Sequence, residues 1–503
     1  MNDLRIRNIV VVGGGSAGWM AAACLSRLLN TPDIKIQVIE SDAIGIVGVG
    51  EATIPQILYF NRLLGLEEDK FIRTTHATFK LGIEFVNWGR AGQRYIHPFG
   101  PYGVDLEGVH FHHSWLRYAR SGKATDVDAY NLQVLAARAG KFQRPEPKMA
   151  GSPLHTISYA FHFDAGLYAK FLRDFALARG ATRTEGKITS VQQHPQSGFV
   201  ESVTLDSGQI IAGDLFIDCS GFRGLLIEQT LKSGFDDWGN YLPCDRAIAR
   251  ACASAGEPTP YTRATAKTSG WQWRIPLQSR IGNGHVYCSE FISDDEALAS
   301  LNADLDGEPL TQPNFLKFRA GIRKQPWKKN VVSLGLASGF MEPLESTSIH
   351  LIQTAIARLM TNFPDKSFNQ PDIDYYNRRT RLEWEQVRDF IILHYHATER
   401  DDSPFWNYCR NMKIPDSLAE RIAIYRENAR LYRHDNELFS EVSWFAVMHG
   451  QNIAPSRYHP VADILPQAQF EARMETMANV TRECLAVMPT HQAFIDRHCK
   501  AQV

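Results

Sequence analysis

An apolar strand that runs straight into a glycine turn and then into an apolar helix leaves few ways to fold. Here Ile6 to Val12 reads as the strand, Gly13-Gly14-Gly15-Ser16-Ala17-Gly18 as the turn and Trp19 to Leu29 as the helix. Ile36 to Glu40 reads as a second strand, which completes a βαβ unit within the first forty residues. In this spacing the glycines permit a tight turn and close approach of a pyrophosphate, whose charge sits on the helix N-terminus. Glu40 stands 22 positions after Gly18 and can accept hydrogen bonds from ribose hydroxyls. Gly13, Gly15, Ser16, Ala17, Gly18 and Glu40 are therefore the candidate nucleotide ligands. The alternative, a purely structural turn, is weak once the strand, helix and acidic residue are all in place.

The rest of the first domain is scattered along the chain. Asp164 to Arg179 reads as a helix with Leu167, Phe171 and Phe175 on its apolar face. Ile188 to Gln192, Val200 to Leu205, Gln209 to Asp218 and Val331 to Gly335 read as strands. Residues 85–160 are rich in His, Trp, Tyr and Phe, and residues 240–330 are strand-like, with Gly282-Asn283-Gly284 read as a turn. From Asp372 onward the pattern is helical, with Val387, Phe390, Ile391 and His394 on one face. The fold class is α/β. A Rossmann-like nucleotide-binding core over residues 1–365 is interrupted by insertions at about 85–160 and 240–330. A helical C-terminal substrate lobe covers 366–503.

Composition narrows the function classes. A net charge of −1 gives no footprint for nucleic acid or an anionic membrane. No apolar run is long enough to span a bilayer, and Ile9 to Val12 is too short for a signal-peptide core. The 8 cysteines include no C-x-x-C pair and no zinc-like spacing, so reduced, buried thiols in a cytoplasmic protein are expected. His110, His112 and His113 invite a metal reading, but packing or substrate contacts are the better one, and no metal is expected.

Asp218, at the end of a late strand, resembles the second fingerprint of FAD-dependent monooxygenase-like proteins, and no second G-x-G-x-x-G is present for NAD(P)H. The cofactor is therefore read as FAD, reduced by a separate NAD(P)H-dependent flavin reductase.

Four further segments carry chemistry. Lys80 sits among apolar residues, where burial favours the neutral amine, although a lone lysine is more often a snorkelling one. Glu342 and Glu345 flank Pro343-Leu344 and suit an acid–base pair, a metal site or only a loop. Trp271 and Trp273 alternate along one strand and form either a partition or ordinary core. Val47 to Pro55 is a glycine-rich strap. Together the glycine turn, the strap, Lys80-Leu-Gly-Ile-Glu-Phe85, Gly270-Trp-Gln-Trp-Arg-Ile-Pro276 and Met341-Glu-Pro-Leu-Glu-Ser-Thr347 resemble the flavin-dependent halogenases, the family of the tryptophan halogenases.

The resemblance implies specific roles. Reduced FAD, O2 and a halide generate hypohalous acid. Lys80 presents electrophilic halogen, as a haloamine or as hydrogen-bonded hypohalous acid, to an electron-rich aromatic carbon. Glu345 positions the electrophile and takes the ring proton, and Ser346 supports the substrate side. Val49, Gly50, Glu51, Ala52, Thr53 and Leu336 lie along the flavin. Backbone N–H groups of Thr347 and Ser348 suit the halide, and Ser348 stands where many relatives carry glycine. Trp271 and Trp273 keep the organic substrate from the flavin.

His97 and Phe99 match a family segment that packs on indole, while Trp444 and Phe445 are expected to line the pocket from the C-terminal helices. Tryptophan-specific members carry a Tyr-Tyr pair and a later Glu for the amino acid's polar end, a pattern not found in residues 435–460. Indole, an indole derivative, another arene or a peptide tryptophan is thus expected before free tryptophan. The halide is bromide or chloride, with no sequence marker for either, although bromide is the easier to oxidise, and a homodimer is in keeping with the family. The alternatives are an aromatic hydroxylase, which has no need of Lys80, and a flavin-binding regulatory protein that has lost catalysis.

Overall fold

In the computed structural model, residues 3–43, 50–124 and 126–502 are described. The chain divides into two units. The first comprises Met1–His76, Phe163–Asp245 and Lys317–Glu385; the second comprises Ala77–His162, Arg246–Leu316 and Gln386–Val503. The two aromatic-rich insertions and most of the C-terminal helices thus belong to one unit.

The first unit is built on a six-stranded sheet in the order Trp327–Lys328, Val331–Ser333, Leu215–Asp218, Asn8–Val12, Lys35–Glu40, Thr182–Glu185. All neighbours pair in parallel except the edge strand Trp327–Lys328. Val10, Val11 and Val12 are all buried, as expected of a central parallel strand covered on both faces. The helix Ser16–Leu28 follows the glycine turn and packs on the helix Ala165–Leu177.

Two expectations need correcting in this unit. The buried face of Ala165–Leu177 is Ala165, Tyr168, Ala169, Leu172 and Ala176, whereas Leu167, Phe171 and Phe175 are only half-buried. Small residues there, and Ala21 to Ala23 on the partner helix, allow close approach. The single strand expected over Gln209–Asp218 is two. Ile210–Ala212 joins a small antiparallel sheet with Ile188–Gln193 and Val200–Leu205, and Leu215–Asp218 joins the parallel sheet. The break falls at Gly213-Asp214. A Cβ on Gly213 would lie 2.8 Å from a Val10 methyl, and Asp214 accepts the backbone N–H groups of Arg7 and Asn8 at 2.8 and 2.9 Å.

The second unit carries a seven-stranded sheet in the order Asn314–Lys317, Arg246–Cys252, Ile281–Tyr287, Gly270–Pro276, Thr262–Lys267, Gly82–Val86, Arg94–Pro98. Gly282-Asn283-Gly284, read from the sequence as a turn, lies inside a strand and pairs on both sides. The reversal comes instead just before it, where Leu277 N–H donates to Arg280 C=O at 2.9 Å. Gly284 is glycine for packing: a Cβ there would sit 2.0 Å from the Trp273 indole. Of the C-terminal helices, Gln370–His396 buries Val387, Phe390, Ile391 and His394 on one face, as expected.

Candidate active site

The glycine turn shows which glycines serve the protein and which serves a ligand. A Cβ on Gly13 would lie 2.3 Å from Cys219 C=O, and one on Gly18 would lie 1.8 Å from Gly13 C=O. At Gly14 it would run into the Glu40 carboxylate. At Gly15 it would meet nothing within 4 Å. Gly15 is also the N-cap of Ser16–Leu28 and makes no side-chain cap. The first amides of that helix, Ser16 and Ala17 among them, have no intrahelical acceptor. An uncapped helix N-terminus with open space over a glycine fits a pyrophosphate. Glu40 lies beside the turn and accepts from Trp19 Nε1 at 3.1 Å. It is ion-paired with Arg183, which also reaches Asp42 and Glu185 at 2.7 Å each. The Arg183 partner has no marker in the sequence.

Asp218 is fully buried and spent on the backbone. One oxygen accepts Ser220 N–H and Oγ–H at 3.0 and 2.6 Å, and the other accepts Leu226 and Ile227 N–H at 2.8 Å each. It shapes the loop whose Cys219 carbonyl abuts Gly13. Leu336 is half-buried in the short helix Gly335–Ala337, and a Cβ on Gly335 would lie 2.9 Å from Ala17 Cβ, so Leu336 borders the same cradle. Of the strap, Val49 lies outside the described residues. Gly50–Ala52 forms a short strand, and Ala52 and Thr53 are buried. Desolvation pushes the Glu51 carboxyl up to about 7.

Glu342 and Glu345 are both buried, Glu345 closing the short helix Pro343–Glu345. Ser346 then adopts φ 57° and ψ 36°, a left-handed conformation uncommon outside glycine and enriched at functional sites. Thr347 stands at the N-cap position of the helix Ser348–Thr361 and makes no side-chain cap, so the amides expected to hold a halide lie at a helix N-terminus. On this helix His350 Nε2 lies 3.4 Å from Glu383 Oε1, while Arg358 and Thr354 approach Glu383 Oε2 at 2.9 and 3.0 Å. Burial acts to raise the Glu383 carboxyl, but His350 and Arg358 outweigh it and hold it below its ordinary value. Sequence reasoning missed this cluster, although His350 stands three residues after the Met341-Glu-Pro-Leu-Glu-Ser-Thr347 segment.

In the second unit Lys80 is completely buried, at the end of the strand Thr78–Lys80. Its Nζ lies 5.2 Å from the centre of the Phe99 ring. Phe99 is positioned by its N–H bond to Leu81 C=O at 3.0 Å. Gly82 admits the close pass of this segment, since a Cβ would lie 2.4 Å from His97 C=O. Lys80 faces Ala160 across the strand pair, and Thr78 faces His162. Thr78 Oγ donates to Pro276 C=O at 2.7 Å, so His162 Nδ1 must carry the proton in its 2.9 Å bond to Thr78 Oγ. Desolvation first, then the charge of Lys80, holds His162 well below its ordinary pKa, and it is neutral.

His97 is buried with its ring 5.6 Å from Phe390 and 6.2 Å from Phe439. Trp444 joins that group, 4.8 Å from Phe390. Phe445 does not: it packs on Tyr102, His112 and His449 at 5.5, 5.2 and 5.5 Å, because successive helix positions point about 100° apart. Glu437 is buried beside Trp444. It accepts from Trp444 Nε1 at 3.2 Å, Arg421 Nη2 at 3.0 Å and His434 N–H at 3.2 Å.

Trp271 and Trp273 have ring centres 6.2 Å apart. Trp271 continues into Trp88, 6.4 Å away, which packs on Trp406 at 5.6 Å, and Trp273 lies across Gly284. His112 Nε2 is bonded to Ala429 C=O at 2.8 Å, and burial brings His112 down to about 4. Among the described residues no group of three or more His, Cys, Asp or Glu side chains is arranged to hold a metal ion. No helix among them is long and apolar enough to cross a membrane.

A dinucleotide cradle on a parallel sheet and, in the second unit, a fully buried lysine set on an aromatic ring are the equipment of an enzyme that uses a nucleotide-type cofactor. The family model for tryptophan halogenase matches residues 8–467. The tryptophan 6-halogenase ThaL of Streptomyces albogriseolus is 34% identical over 515 residues, covering 96% of each chain. Two solved structures superpose closely. Xcc4156, a flavin-dependent halogenase from Xanthomonas campestris, is 46% identical with a TM-score of 0.96, over 99% of each chain. BrvH, a flavin-dependent halogenase from Brevundimonas sp. BAL3, is 46% identical with a TM-score of 0.95, over 98% of this chain and 99% of that one. The chain belongs to the tryptophan halogenase family and is a flavin-dependent halogenase, not a hydroxylase. Enzymes of this family use reduced flavin and a halide, draw the flavin from a separate reductase and act on aromatic substrates.

Proposed function

We propose that this enzyme uses FAD reduced by a separate NAD(P)H-dependent reductase to halogenate indole-type aromatics, with bromide ahead of chloride. The burial of Lys80 against Phe99 carries the reading. An aliphatic amine shut away from water and held over an aromatic face is suited to hold an electrophilic halogen that water would otherwise consume.

Gly13, Gly15, Ser16, Ala17, Gly18, Glu40, the strap residues Gly50 to Thr53 and Leu336 would hold FAD. When bound and reduced, with O2 and halide, it supplies hypohalous acid. Lys80 keeps the terminal halogen of that acid in place. The aromatic carbon forms its bond to halogen, the O–X bond breaks and the oxygen leaves as hydroxide, which becomes water on taking up the ring proton relayed through Glu345. The ring proton goes to Glu345, whose buried carboxylate is suited to a general base, with Ser346 holding its backbone in place. Thr347 and Ser348 offer their amides to the halide.

Glu437 supports the substrate preference. Its carboxylate already accepts three protein donors of the roughly four it can take, so it is largely committed to the fold rather than to a substrate ammonium group. His97, Phe99 and Trp444 supply aromatic surface for a flat ring, and Trp271 and Trp273 the partition. Eight cysteines, seven of them buried, are in keeping with a cytoplasmic enzyme, and a homodimer completes the reading.

The test is purified protein with FAD, NADH, an added flavin reductase and bromide or chloride, offered indole and free tryptophan separately. Mass spectrometry should find the bromine isotope doublet on indole, with chlorinated product slower. Faster turnover of tryptophan than of indole would overturn the substrate assignment.

A further inference from the structure

The strand Thr78–Lys80 has one edge paired with Ala160 to His162. Among the described residues its other edge has no neighbouring strand. Phe79 N–H donates there to His491 Nε2 at 3.1 Å, and Leu81 N–H donates to Pro260 C=O at 2.8 Å. His491 Nδ1 lies 2.8 Å from Pro258 C=O, an acceptor only, so Nδ1 carries the proton and Nε2 is the bare acceptor. His491 is fully buried, and desolvation brings it down to about 4, so this tautomer persists through the neutral range. An imidazole more than four hundred residues away in sequence thus takes the place of the missing strand, one residue before the lysine.

His491 is itself fixed from the opposite side. Its N–H donates to Gly140 C=O at 2.8 Å, and Phe142 N–H donates to Pro489 C=O at 3.2 Å. Thr490 caps the helix His491–His498 through Ala493 N–H at 3.1 Å. The segment beyond the helix reaches the same strand through Gln278. That side chain donates to Ala77 C=O at 2.6 Å and Cys499 C=O at 3.2 Å, and it accepts Ala501 N–H at 2.7 Å. Phe79 adds a packing anchor, stacked on Phe142 at 4.0 Å and edge-on to Phe494 at 5.3 Å.

We propose that His491 is a positioning residue for halogen transfer: by accepting the Phe79 N–H it sets the register and height of the strand that ends in Lys80. The inference rests on Lys80 as the residue that holds the halogen. A lysine displaced by even an ångström leaves hypohalous acid free to diffuse away. Loss of the His491 bond therefore shows in where the halogen goes, before it shows in flavin oxidation.

The experiment uses the full enzyme with FAD, reductase, bromide and indole, plus a small diketone that captures free hypobromous acid. His491→Phe keeps the ring and removes the acceptor. Brominated indole per FAD oxidised should fall about tenfold or more, with captured bromine rising, FAD oxidation unchanged and KM for indole within about twofold. His491→Gln, which can place an oxygen near the Nε2 position, should recover to within about threefold of the parent, whereas His491→Asn, too short to reach Phe79, should not. If His491→Phe does not fold, the Gln and Asn variants decide the matter between them. An unchanged partition in Phe or Asn variants, or a parallel loss of FAD oxidation, overturns the inference. Lys80→Met separates the two levels: if it still brominates indole, the reading of Lys80 fails, whatever His491 does.

Discussion

Lys80 Nζ sits 5.2 Å from the centre of the Phe99 ring, in a position with no solvent exposure. The face of that ring attracts the ammonium form of the side chain, by about 2 kcal/mol when desolvated. Phe99→Leu keeps the apolar wall and removes the π face, so halogenation should drop by about tenfold while FAD oxidation continues. Single-turnover assays with reduced FAD, scored by halogenated product, make the comparison. A Leu variant as fast as the parent would mean that the ring only fills space.

Gly15 and Gly18 separate ligand binding from folding. Gly15→Ala meets no protein atom within 4 Å, so the melting temperature should stay within a degree or two. FAD affinity should fall by about tenfold or more, because the methyl group occupies the approach of the pyrophosphate. Gly18→Ala places its methyl 1.8 Å from Gly13 C=O and should give little soluble protein. Equilibrium dialysis with FAD and a thermal melt distinguish the two; intact FAD binding by Gly15→Ala would remove the pyrophosphate from this turn.

Local patterns made the cradle legible: strand, glycines, helix and Glu40 lie within forty residues, and each constrains the next. The Gly282-Asn283-Gly284 strand was not legible, because a glycine that makes room for an indole eleven residues earlier looks the same as a glycine that makes a turn. The buried face of Ala165–Leu177 was misread for a related reason. Large residues advertise a core face, yet here alanines pack against alanines. Lys80 and Glu345 stood out only by resemblance to a family, since neither spacing nor hydrophobicity marks them. Their supports, Arg183 for Glu40, Glu383 for His350 and His491 for Phe79, come from distant positions that no local pattern links.

Glu437 binds Arg421 and Trp444 with a carboxylate that is almost completely buried. Glu437→Ala leaves a guanidinium and an indole N–H without their acceptor and should destabilise the enzyme by about 3 kcal/mol. The preference for indole over tryptophan among the molecules still folded should not change, since the carboxylate has no substrate to hold. Chemical denaturation gives the first quantity and competition between the two substrates the second. A selective loss of tryptophan turnover would instead make Glu437 a substrate ligand.

Glu51 links the flavin strap to pH. Its carboxyl is raised by desolvation from 4.5 to about 7 in the folded protein. The folded state therefore binds this proton more tightly than the unfolded chain does. The resulting stabilisation is fully present below pH 4.5 and fades as pH rises through about 7. Above that the ionised carboxylate is desolvated and the strap is at its weakest. Glu51→Gln stays neutral throughout, so it should melt higher than the parent at pH 8, by on the order of 2 kcal/mol after allowance for partial solvent access. The gap should close by pH 5. FAD-free protein melted across this range tests the slope, and a constant difference between the two proteins at every pH would show that Glu51 does not titrate within the fold.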